Sequence, residues 1–100
     1  MKLTEAQGKA LQQIKDYINL AKKCETYKEY CIKENKIEPE IYEIRKEHYE
    51  SLKKYWIEAK NKNIALTSCV SSSTLKSLEK KGLIKIIEDG GKYVDKVILL

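Results

Sequence analysis

A chain of 100 residues, 42% hydrophobic and 35% charged, has material for one modest core and is too apolar to stay disordered. No apolar run nears the roughly 20 residues of a membrane helix. Met1-Lys2-Leu3 leads straight into a polar helix rather than a leader, so the expected location is the cytoplasm. The net charge of +5 favours a polyanionic partner without naming one, and lysine carries almost all of it, Arg45 being the only arginine.

In chain order, Leu3-Thr4-Glu5-Ala6-Gln7 predicts a helix start: Thr4 is a suitable N-cap, Glu5 suits the positive end of the dipole, and Gln7 falls at the capping-box position. Ala10, Ile14, Tyr17, Ala21, Cys24 and Cys31, with Leu11 and Ile18 beside them, form an amphipathic stripe. An unbroken helix over residues 4–34 would span roughly 45 Å, longer than a compact domain of this size is wide. Either it kinks or its end packs on another chain. Residues 35–39 are the one clear break, with Pro39 placed for the first turn of a second helix running to about residue 60. On that helix Ile41, Ile44, His48, Leu52, Tyr55 and Ala59 share one stripe. Tyr42, Tyr49 and Trp56 share a neighbouring stripe. It is expected to be core or dimer interface rather than a stacking platform for single-stranded nucleic acid. Residues 61–63 are a second polar break.

The last forty residues carry the densest pattern. Ile64 and Ala65 sit where a positioning helix needs an apolar and a small residue, and Cys69-Val70-Ser71 sits where a tight turn falls. Ser71 is a good N-cap, Leu75 and Leu78 recur at helical spacing and face inward, and Gly82 suits the left-handed position that ends a helix. Leu83 to Ile87 is a short apolar, β-branched run. Asp89-Gly90-Gly91 is a hairpin signal, and a returning strand follows from Tyr93. A helix-turn-helix followed by a two-stranded wing resembles the winged helix-turn-helix family. Ile64, Ala65, Val70 and Ser71 match that family's positioning helix and turn, with Cys69 where a glycine is usual. SSSTLKSLEKKGLIKI is similar to its recognition helix and first wing strand.

The expected fold is therefore mainly α with a small β-hairpin: a winged helix-turn-helix with a long N-terminal helical extension, one domain over residues 1–100. Residues 1–37 would serve packing or dimerisation and residues 38–100 would form the winged unit. The resemblance implies a sequence-specific double-stranded DNA-binding protein, a small transcriptional regulator rather than an enzyme. Ser71, Ser72, Ser73, Lys76, Ser77 and Lys80 would lie in or along the major groove, with Lys92 and Tyr93 of the wing against the flanking backbone. The alternatives are a winged-helix adaptor that binds protein and a replication or partition accessory protein. The expected partners are duplex DNA and a second copy joined through the N-terminal helix, because one small wing domain is too little to bury the faces around Leu20, Tyr27 and Tyr30 and around Tyr42, Tyr49 and Trp56. No membrane or small-molecule partner is expected. Cys24, Cys31, Cys69 and His48 lack the spacing of a zinc site and read as buried packing, with reduced thiols and no metal or cofactor. No nucleophile–base pair, phosphate loop or carboxylate pair stands out.

Overall fold

Thr4 opens the first helix, α1 (Glu5–Lys23). Its hydroxyl accepts from the Gln7 backbone N–H, and the Gln7 side chain accepts from the Thr4 N–H, so two orphan donors are satisfied reciprocally. The computed structural model describes residues 2–67, 70–89 and 94–100. The apolar stripe continues past α1, but the helix does not. Cys24 is extended, and Thr26 caps a new helix, α2 (Tyr27–Asn35), by accepting from the Glu29 N–H. The long helix therefore kinks. A threonine that can bond its own downstream backbone competes with helix continuation, and the kink turns Tyr27 and Tyr30 inward, where both are buried.

Pro39 begins α3 (Pro39–Ile44), as its missing N–H allows. The single helix expected to about residue 60 is three: α3, α4 (Lys46–Glu50) and α5 (Lys53–Lys62), interrupted at Arg45 and around Ser51-Leu52. Across the second interruption the bonds tighten to i→i−3, with the Leu52 N–H donating to Tyr49 O and Tyr55 N–H to Leu52 O. The aromatic stripe, expected as core or dimer interface, turns inward, and His48, expected as buried packing, does not. Tyr42, Tyr49, Trp56 and Ala59 are buried, whereas Ile44 is 78% and Leu52 40% exposed, and His48 is exposed. Aromatic side chains bury about 150–250 Å² each, so the aromatic stripe outweighs the aliphatic one when only one can face in. Tyr42 and Tyr49 stack at 5.8 Å with their planes 6° apart, and Tyr27 lies 5.6 Å from Trp56.

Asn63, left-handed at φ 57°, ends α5. Ile64 and Ala65, expected on a positioning helix, instead form β1 (Ile64–Leu66). Strand wins there because β3 offers a ladder: Ile64, Ala65 and Leu66 pair antiparallel with Ile98, Val97 and Lys96. After Ser71 comes α6 (Ser72–Lys80), which Gly82 terminates at φ 74°, a conformation that side chains with a Cβ rarely adopt. Then β2 (Ile84–Asp89) and β3 (Val94–Leu99) pair antiparallel. The sheet order is β1-β3-β2, and a register shift leaves Ile87 as an extra residue in β2. Of the expected turns at Cys69-Val70-Ser71 and Asp89-Gly90-Gly91, Cys69, Gly90 and Gly91 lie outside the described residues.

Two cores result. The first is aliphatic: Ala10, Leu11, Ile14 and Ile18 of α1 against Leu75 and Leu78 of α6 and Ala65, Ile84 and Val97 of the sheet. The second is aromatic, joining Ala21 and Cys24 to Tyr27, Tyr30, Tyr42, Tyr49 and Trp56. The same helix thus seats both halves. The two faces that prompted the expectation of a dimer cover each other within one chain.

Candidate nucleic-acid interface

The site is built on α6. Ser71 Oγ accepts from the Thr74 N–H at 3.4 Å and contacts Thr74 Oγ1 at 2.8 Å, which fixes the helix start. Leu75 and Leu78, both fully buried, pin the inner side against α1 and the sheet. By the 3.6-residue period the opposite side must then face outward. Ser73, Lys76 and Lys80 are exposed there, and Ser72 and Ser77 are half-buried. Of the expected contact residues, these five thus share one helix with the cap Ser71.

Their chemistry is not equal. Ser71 spends its hydroxyl on the cap, and Ser77 Oγ donates to Ser73 O at 3.1 Å, a bond back into its own helix. Lys76 and Lys80 have no ion-pair partner among the described residues. Glu79, the one acid on the helix, turns away: its Oε2 accepts from the Ile86 N–H at 2.8 Å, which caps an edge of the sheet. Lys81 turns inward and donates to Gln7 Oε1 at 2.8 Å and to Lys2 O at 3.1 Å, tying the end of α6 to the start of α1. The outer side of α6 is therefore short hydroxyls and two lysines without an ion-pair partner among the described residues. Lys92 and Tyr93, expected on the wing, lie outside the described residues.

Sequence reasoning missed the flank of this surface. Lys9 and Gln13 of α1 line an open groove with Val70, Ser71 and Thr74, beside the N-terminus of α6. Lys9 is held loosely, by an exposed pair with Glu5 at 3.2 Å. Nothing local in residues 9–13 points to this. It follows only once α1 lies across α6.

Cys24 and Cys31 are buried in the aromatic core, and burial pushes both thiols above their ordinary pKa. Among the described residues no helix is long and apolar enough to cross a membrane. Comparison with family models, with curated proteins and with solved structures gave no match to this chain.

Proposed function

We propose that the protein is a non-enzymatic, cytoplasmic binder of double-stranded DNA, a small transcriptional regulator that lays the outer side of α6 in the major groove. The observation that carries this reading is the composition of that side. Lys76 and Lys80 are exposed and unpaired among the described residues, and the only acid on the helix bonds to the sheet edge instead. Unpaired lysines release counterions when they meet phosphates, which is the main source of duplex affinity. Ser72 and Ser73 at the helix start are short enough to reach base edges or phosphates.

The unit β1–α6–β2–β3 supports a winged-helix reading with one change. The helix backing α6 comes from α1, at the other end of the chain, and a strand stands where the positioning helix was expected. Lys92 and Tyr93 would be the wing's contacts. Lys9 and Gln13, next to Ser71, extend the surface toward the flanking backbone. The adaptor reading needs an apolar docking face, and the outer side of α6 offers no large apolar residue. A replication or partition accessory protein would use the same surface.

The test is fluorescence anisotropy with mixed-sequence duplex at several salt concentrations. Affinity should fall with salt with a log–log slope of about −2 to −4 per chain, as two to four lysine–phosphate contacts give. An anisotropy that does not move at low salt overturns the proposal.

A further inference from the structure

Residues 39–62 run almost continuously as helix, and the side they leave uncovered is patterned. Tyr42, Tyr49 and Trp56 recur every seven residues and all are buried, so the helical phase survives both interruptions. The same phase puts Ile41, Ile44, His48 and Leu52 on one flanking stripe, three to four residues apart, which turns inward beyond Leu52 at half-buried Tyr55 and buried Ala59. Ile41 is half-buried, His48 is exposed, and Ile44 and Leu52 are the exposed large aliphatics already noted. Single exposed aliphatics are ordinary, but an aligned stripe of them is not.

Charge along the run is divided. Residues 38–50 carry five glutamates against Arg45 and Lys46, a net −3; residues 51–62 carry four lysines against Glu58, a net +3. Ile44 and Leu52 stand four residues to either side of His48. We propose that this stripe is the contact surface for a second copy of the chain, packed antiparallel about a two-fold axis at His48. In that arrangement Ile44 meets the partner's Leu52, and each acidic half lies over a basic half. Parallel packing would set like charges together at both ends. A self-complementary patch is what a two-fold interface requires. The stripe lies apart from the N-terminal helix, whose apolar side is buried within the chain.

The test needs no nucleic acid, so its result is independent of the DNA reading. Light scattering and sedimentation over a micromolar concentration series should show the mass rising from 11.6 kDa toward twice that value. Ile44→Asp and Leu52→Asp should each weaken the dimer by about tenfold or more, with circular dichroism unchanged because both side chains are exposed. Lys54→Glu should weaken it, and adding Glu40→Lys should restore it. His48→Cys should form a disulfide-linked dimer under mild oxidation, with the unsubstituted chain as the control for the native cysteines. A chain that stays at 11.6 kDa throughout overturns the proposal. So does a dimer indifferent to Ile44→Asp with no crosslink at position 48, because it would use another face.

Discussion

The two cores solve different problems. The aliphatic core has few polar atoms to satisfy: Leu75, Leu78, Ile84 and Val97 close on α1, and caps and a sheet ladder take care of the backbone. The aromatic core is made of short helices, and every helix end leaves carbonyls without partners. Its side chains supply the missing donors. Trp56 Nε1 donates to Ala21 O at 3.2 Å, and Lys60 Nζ to Cys24 O at 2.9 Å, so both bonds fall where α1 ends. Tyr27 OH adds a second donor at Tyr49 O, where α4 ends and the Leu52 N–H also donates. Residues with an apolar body and a polar tip suit this place, because they fill volume and cap a carbonyl with one side chain. One half of the molecule is therefore held by shape and the other by shape plus a few specific bonds.

That contrast can be broken in order of effect. Leu78→Ala should cost about 2–5 kcal/mol, because it leaves a cavity under α6 that the sheet cannot collapse into. Urea melts measure it, and a harmless substitution would mean that the inner side of α6 is misassigned. Trp56→Phe keeps most of the ring area but removes the bond to Ala21 O. It should cost about 1–3 kcal/mol, the cost of stranding a buried acceptor. If it costs nothing, the aromatic core is held by area alone and the contrast fails.

Lys76→Ala and Lys80→Ala touch neither core. Each should leave the melting midpoint nearly unchanged, within about 0.5 kcal/mol, while reducing the salt slope of duplex binding by about one. Equal losses of stability and binding would place these lysines in the fold rather than on the docking surface.

The smallest effect concerns the exposed pair joining α2 to α3, Lys28 Nζ to Glu43 Oε1 at 2.8 Å. The hydrogen bond and charge of Lys28 hold the Glu43 carboxyl below its ordinary pKa, and Glu43 holds Lys28 above its own. A depressed carboxyl contributes stability above its unfolded pKa and loses it as pH falls through the folded value. A raised lysine contributes below its unfolded pKa and loses it as pH rises through the folded value. The gap in urea midpoint between the native chain and Glu43→Gln should therefore be small at pH 7 and close as pH falls below about 4. A gap that widens in acid would show that the carboxyl is stabilised in its protonated form.

Local chemistry alone determined the ends of several elements. Thr4 with Gln7, Ser71, Pro39 and Gly82 each carry a backbone preference that no distant contact needs to enforce, and all four act where their residue types place them. The same holds for Leu75 and Leu78, whose spacing on a nine-residue helix admits one inward face and so defines the outer side of α6. Tertiary structure decided the rest, because those choices compare stabilities that no short window contains. Residues 64–66 carry no strong preference, and they became a strand because β3 supplied partners some thirty residues away. On residues 39–62 two apolar stripes competed for one core. The aromatic stripe won through contact with Tyr27 and Tyr30, which face it only because the chain kinks at residues 24–26. Lys9 and Gln13 came beside Ser71 for the same reason: α1 lies across α6 once the aliphatic core has closed.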